Sequence, residues 1–372
     1  MTSLGYQICK TCVMDSTMPG TVFDEDGVCN NCTEFPVKAA QHWKPDAEGA
    51  RRLDAMLARI KAQGEGKEYD CLLGLSGGVD SSFLAFKLRE WGLRPMVLHV
   101  DGGWNTELAV ANVRRIVEAN QYDLVTEVVN WETMKDLQRA YLRAGVTNQD
   151  VPQDHVFIAS LFHYARRHGI KSIISGHNFA TESTPMRWQH PAMDVINLKA
   201  IHARYGEKPL RGYRTIGGFE YFLFSPAFRR IKFCHPLNLM PYDKEEAIRF
   251  LEGHGWRKYP RKHGESIFTR IFQDYILPVK FGIDKRRAHL TSLIHGGSMS
   301  RDQALALLQE PHYDPVGIRR EIEFFCRKLG IEVSEFDKLI AEPQRSHKDY
   351  PNWDRYIKLM EPFKSAIIKL RG

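Results

Sequence analysis

The sequence predicts a doubly wound α/β fold, in which a parallel sheet lies between a cysteine-rich N-terminal segment and a mainly helical C-terminal region. Three observations carry this. Short apolar runs (CLLGL at 71–75, MVLHV at 96–100, SIISG at 172–176) alternate with stretches of helical period. A Gly-Gly pair stands where the first apolar run gives way to a helix. Four of the seven cysteines fall within the first 32 residues.

The elements follow in order. Residues 1–45 form the cysteine segment, turn-rich through 36. Residues 46–63 are amphipathic, with Leu53, Met56, Leu57 and Ile60 on one face, and end at Gly64-Glu65-Gly66. Strands are expected at 71–75, 94–100, 123–129 and 171–175, and helices at 80–91, 106–120, 131–144 and 153–168. Strand-helix alternation of this kind buries a parallel sheet on both faces. Residues 179–240, irregular and aromatic, complete a unit of 46–240 as an insertion. Residues 241–372 turn helical, at 243–253, 265–275, 284–295, 300–309 and 315–329.

The composition is that of a globular chain: 372 residues, 43% hydrophobic, formal net charge +7. No run approaches the ~20 apolar residues of a membrane span. Met1-Thr2-Ser3-Leu4-Gly5-Tyr6 lacks a basic region followed by an apolar one. A cytoplasmic protein without a membrane partner is expected. The modest, dispersed positive charge suits small anions better than nucleic acid.

Cys9-Lys10-Thr11-Cys12 and Cys29-Asn30-Asn31-Cys32 are two C-x2-C pairs separated by sixteen residues. Two such knuckles supply the four thiolates that tetrahedral Zn²⁺ prefers, and an all-protein ligand set makes the site structural. Ser76-Gly77-Gly78-Val79-Asp80-Ser81-Ser82 leaves an apolar strand and opens a helix. Backbone N–H groups and serine hydroxyls there face an anion, and the glycines permit its close approach. The pattern is not the Gly-x-x-x-x-Gly-Lys-Ser/Thr loop. In a sheet of this type the loops after 75, 100 and 175 line one site.

Ser76–Ser82 resembles the PP-loop of the ATP-pyrophosphatase superfamily, whose sheet is of the adenine nucleotide alpha hydrolase-like type. Leu98-His99-Val100-Asp101 and Ser175-Gly176-His177-Asn178 agree with it. With the cysteine ribbon and the string His263-Gly264-Glu265-Ser266 through Lys280-Phe281-Gly282-Ile283-Asp284-Lys285-Arg286-Arg287-Ala288-His289, the chain is similar to N-acetyl sugar amidotransferases of bacterial surface-polysaccharide (lipopolysaccharide O-antigen) synthesis. The resemblance implies that ATP adenylates an acetamido oxygen of a nucleotide-linked sugar, such as a UDP-diacetamido-uronic acid. Ammonia then replaces AMP to give an acetamidino group.

It implies nucleotide contacts from Ser76, Gly77, Gly78, Val79, Asp80, Ser81, Ser82, Val100, Asp101 and Gly176. Asp80 is the candidate to hold Mg²⁺, a hard ion needing carboxylate oxygen, with helix capping as its competing role. Lys280, set among apolar neighbours, is expected on a phosphate, with Lys285 and Arg286 adding countercharge and His177 either polarising the amide oxygen or bonding to a phosphate. At least one of Arg286 and Arg287 is expected on a solvated helix face. Glu182, Glu265 and His289 are second-tier candidates. Arg187, Trp188, His190, Tyr213 and Arg214 either grip the nucleotide sugar or pack the insertion.

Cys71, Cys234 and Cys326 do not present a glutaminase nucleophile. Ammonia is therefore expected from a separate glutaminase subunit, with a synthase-like partner resembling the cyclase of imidazole glycerol phosphate synthase. A PP-loop tRNA-modifying enzyme is the competing class, with the ribbon on RNA.

Overall fold

The computed structural model describes residues 5–259, 264–354 and 356. Five parallel strands form one sheet in the order β3-β2-β1-β4-β5: β1 Cys71–Gly74, β2 Pro95–Asp101, β3 Leu124–Val128, β4 Ser172–Ile174 and β5 Lys232–Cys234. Leu73 pairs with Val97 on one side and Ile174 on the other, so β1 is central, and Cys71, Leu72 and Leu73 are buried. The chain winds outward from β1 through β2 and β3, then returns to lay β4 and β5 on the opposite side. The switch point therefore lies between the carboxyl ends of β1 and β4, where such sheets bind ligands.

The helices are α1 Asn30–His42, α2 Ala47–Gly64, α3 Val79–Glu90, α4 Glu107–Asn120, α5 Trp131–Ala144, α6 Val151–Arg167, α7 Phe179–Glu182, α8 Val195–Tyr205, α9 Lys244–Gly253, α10 Ile267–Ile271, α11 Leu277–Phe281, α12 Lys285–His295, α13 Arg301–Gln309, α14 Pro315–Leu329 and α15 Val333–Ala341. Among the described residues no helix is long and apolar enough to cross a membrane.

Four sequence expectations are corrected. The second cysteine pair is not in a turn-rich tract, because Cys29 is the residue before α1 and Cys32 sits in its first turn. Strand β5 was not anticipated; three residues carry too little alternation to be recognised. Strand β3 is an edge strand rather than a buried one, with Val128 70% exposed. The helix expected over 265–275 continues to Phe281 through a wide π segment, Phe272–Ile276, and Pro278 lies just beyond that segment. Proline has no N–H to give the ladder, so a local change of helix pitch beside it is physically reasonable.

The ribbon does not stand apart. Cys9, Cys12, Met14, Met18 and Cys29 share one apolar cluster with Trp104, Phe268, Phe272 and Phe325. Arg301 donates to the carbonyls of Cys9 and Cys12, both 3.1 Å from Nε. Arg287 pairs with the buried Asp15 at 2.9 Å and donates to the Val13 carbonyl at 2.8 Å.

Candidate active site

The loop after β1 is held from behind. Gly77 has φ +84°, and a Cβ there would stand 3.0 Å from the Ala109 carbonyl oxygen and 3.1 Å from the Tyr259 hydroxyl. No other residue fits this turn without displacement. The Gly77 carbonyl accepts from Trp256 Nε1 and Tyr259 Oη, each at 2.9 Å. Gly78 offers no side-chain cap to α3, and Ser82 N–H is the N–H that reaches its carbonyl. The N–H groups of the first turn thus remain available to an anion. Ser76 Oγ lies 3.1 Å from Ser81 Oγ beside them.

These groups line a cavity of about 580 Å³ with Gly176, His177, Glu182, Lys244, Lys258, Glu265 and His289. Gly176 is required by proximity, since a Cβ would meet Asp80 Cβ and Ser81 N at 3.0 Å. Asp80 does not cap α3. Its carboxylate accepts from Tyr242 Oη and from Asn178 Nδ2 at 3.2 Å, with Lys244 Nζ at 3.6 Å. Burial and the neighbouring Asp80 charge drive the Tyr242 hydroxyl far above its ordinary range, so it stays a donor. His177 Nδ1 is 2.6 Å from Glu182 Oε2, and that bond raises the imidazole's pKa. His235, facing the His177 ring at 5.7 Å, is lowered by burial.

A second cavity, of about 400 Å³, shares Gly74, Ser76, Leu161 and Glu265 with the first. His99 and Val100 from β2, Asp150, Gln153 and Asp154 at the start of α6, and Lys285 from α12 complete its wall. His99 donates from Nδ1 to the Leu75 carbonyl at 2.8 Å, and its Nε2 lies 3.0 Å from Asn105 Nδ2.

The sites expected from sequence divide accordingly. Ser76, Gly78, Val79, Asp80, Ser81, Gly176 and His177 meet in the first cavity, and Val100 and Lys285 in the second. Glu182, Glu265 and His289 also reach the first. Lys280 is corrected: its ammonium donates to the carbonyls of Leu339 and Glu342, the latter at 2.8 Å, closing the end of α15. The partner that a semi-buried ammonium demands is a helix C-terminus, not a phosphate.

Arg286 is corrected too, pairing with Asp284 at 3.0 Å and the Glu310 carbonyl at 2.7 Å. Asp101 accepts from Gly103 N–H at 2.8 Å and shapes its own turn. Ser82 is fully buried beneath the loop, and Gly77 acts through its conformation. The nucleotide-sugar candidates are structural: Arg187 pairs with Glu34, His190 with Asp194 and Arg214 with Glu127, Tyr213 donates to the Pro152 carbonyl, and Trp188 is buried. His263 lies outside the described residues, as does the tail within 241–372. Asn178 belongs to the string read at 175–178, though its bond to Asp80 was not foreseen. Sequence reasoning missed Tyr242, Lys244, Lys258, Asp150 and Asp154, which come from elements whose approach to β1 is set by packing and which no motif announces.

The four cysteine sulfurs lie within 4.8 Å of one another. The backbone N–H groups of Thr11, Cys12 and Cys29 point at Cys9 Sγ at 3.2 to 3.5 Å, and His295 Nε2 lies 3.2 Å from Cys32 Sγ. Donors directed at sulfur stabilise thiolates, so the donor set fits a structural Zn²⁺. The phosphate cradle likewise fits a nucleotide, through first-turn N–H groups and two glycines that side chains would obstruct.

Residues 265–364 match the family model described as LPS biosynthesis protein WbpG-like, C-terminal domain. The C-terminal region is similar to that domain. This WbpG-like region supplies Glu265, Lys285 and His289 to the two cavities. No curated protein matches the chain. The similar solved structures include two synthetases. The NH3-dependent NAD synthetase from Campylobacter jejuni subsp. jejuni NCTC 11168, in complex with the nitrate ion, is 13% identical, covering 56% of this chain and 85% of its own at a TM-score of 0.30. NMN synthetase from Francisella tularensis is 14% identical, covering 55% and 85% at 0.27. Neither likeness bears on function.

Proposed function

We propose that the chain is an ATP-dependent, AMP-forming amidotransferase of lipopolysaccharide synthesis, converting an acetamido group of a nucleotide-linked sugar to an acetamidino group. One observation carries the proposal: a glycine-serine loop with first-turn N–H groups open to an anion lies at the switch point of the sheet, in a cavity walled in part by a region similar to the WbpG-like C-terminal domain. An amide carbon resists ammonia because its oxygen leaves poorly. Attack of that oxygen on the α-phosphate expels pyrophosphate and makes AMP the leaving group. Ser76, Gly78, Val79 and Ser81 would orient the triphosphate, and Asp80 would hold Mg²⁺, which would supply countercharge to the phosphates. Lys244 and Lys258 line the same cavity and offer countercharge to the departing pyrophosphate.

Ammonia is supplied from outside in this scheme, by a separate glutaminase subunit working with a cyclase-like partner. Cys71 is buried in β1 with its thiol pushed up by desolvation, and burial pushes the Cys326 thiol up to about 12, so neither suits a nucleophile. The purified chain, given ammonium, Mg-ATP and a UDP-diacetamido-uronic acid, is expected to release AMP and pyrophosphate. The sugar's mass should fall by about one unit as O becomes NH, a change that splitting the hard step through a covalent adenylate makes accessible. Formation of ADP and orthophosphate, or glutamine serving as well as ammonium, would contradict the scheme.

A further inference from the structure

The segment before β5 carries an aromatic face that the core does not take up. Residues Glu220–Arg229 form a wide helical segment that leads into β5. Its inner side is anchored, with Ser225 buried and Tyr221 set edge-on against Phe162 of α6 at 5.4 Å. Its outer side holds Phe224 and Phe228, whose rings are 5.5 Å apart, and Phe219 at its entry lies 6.3 Å from Phe224. Phe219 is 57% exposed and Phe228 68%. Cations surround these rings. The Arg229 guanidinium lies 5.0 Å from the Phe224 ring, and Arg230 and Lys232 are exposed just beyond it. The end of α6 joins them through Arg166, paired with Glu220 at 2.9 Å, and through Lys171, which donates to the Arg229 carbonyl at 2.9 Å. Residues 163–171 and 217–232 together hold six Lys and Arg against one acid, Glu220, which Arg166 already answers.

We infer that this face adsorbs on an anionic lipid bilayer, with Phe219 and Phe228 entering the boundary between headgroups and acyl chains and the cations meeting lipid phosphates. Aromatic rings take the apolar side of such a boundary, and arginine and lysine reach back to the headgroups on apolar stems. Charge selects the occupant. An unanswered positive surplus around apolar rings is complementary to a surface that is both apolar and negative. Position agrees with it: Lys171 and Lys232 stand at the amino ends of β4 and β5, whereas Ser76 and Gly176, which line the first cavity, follow the carboxyl ends of β1 and β4. Adsorption therefore takes place at the opposite end of the sheet from the phosphate cradle. The sequence expectation of no membrane partner rests on the lack of a spanning run, and surface adsorption needs none. The contact is independent of the reaction proposed above.

Vesicle flotation tests this on the full chain. Wild type should float with vesicles containing about one-third phosphatidylglycerol and not with pure phosphatidylcholine, and raised salt should weaken the binding. Partitioning should fall at least about tenfold in the double variant Phe219→Ser, Phe228→Ser, and likewise in Arg229→Gln, Arg230→Gln. Val128→Ser, an exposed apolar change on β3 at the other edge of the sheet, should bind as wild type does. Unchanged thermal unfolding in each variant separates a loss of binding from a loss of fold. In a Phe228→Trp chain the added indole emission should shift to the blue on anionic vesicles, a readout that needs no weakened variant. Wild type that ignores anionic vesicles, as it would if the rings served a protein partner, overturns the inference. So does binding that survives the loss of both phenylalanines, or an indole that stays in water while the chain floats.

Discussion

At the scale of single residues, His177 and Lys280 show how partner identity fixes role. His177 is raised by its bond to Glu182, so protonation favours the folded state. The stabilisation is full below the unfolded value of about 6.5 and is lost as pH rises through the higher folded value. Denaturation midpoints of wild type and Glu182→Gln should therefore differ below about pH 6 and converge in alkali. Lys280→Met should lower stability by about 1 kcal/mol, through the open end of α15, while ATP–pyrophosphate exchange stays unchanged. Gly176→Ala should do the reverse in emphasis: its Cβ would press on Asp80 and Ser81, and exchange should fall at least about tenfold. The cradle could be read from sequence because glycine and serine act there through backbone geometry that a short string encodes. Lys280 could not, since its apolar neighbours reveal the need for a counter-partner and not which carbonyls, 59 and 62 residues away, provide it.

Among elements, α12 has the most to coordinate. Its first residue, Lys285, walls the second cavity and His289 the first. Arg287 binds the ribbon at Asp15 and Val13, and His295 touches Cys32. The four-cysteine knuckle is thus one anchor of a helix whose other end borders the two cavities. Chelation should accelerate amide exchange along α12 by about tenfold or more, measured by mass spectrometry, whereas α4 on the far side of the cradle should change little. Zinc spacing was plain in the sequence. The destination of the ribbon was not, because the arginines that grip it follow some 270 to 290 residues later and look like ordinary helix-surface charge.

Over the whole molecule, the strand-helix alternation fixed the class of fold, and the central strands were found to within a residue or two. What escaped were the shortest strand and the convergence of the C-terminal region on the sheet, both products of tertiary packing. The WbpG-like region forms part of the wall around both cavities, so it is a component of the site and not an appendage.

Because Met14 and Met18 are 3% exposed within the cluster that also buries Phe268 and Phe325, the segment from Cys9 to Cys29 plugs the hydrophobic interior. A chain shortened to begin at residue 46 would expose that greasy socket to water. It should precipitate or associate on expression instead of yielding a smaller working catalyst, and adding the missing peptide back in trans with zinc is the natural way to restore a soluble monomer.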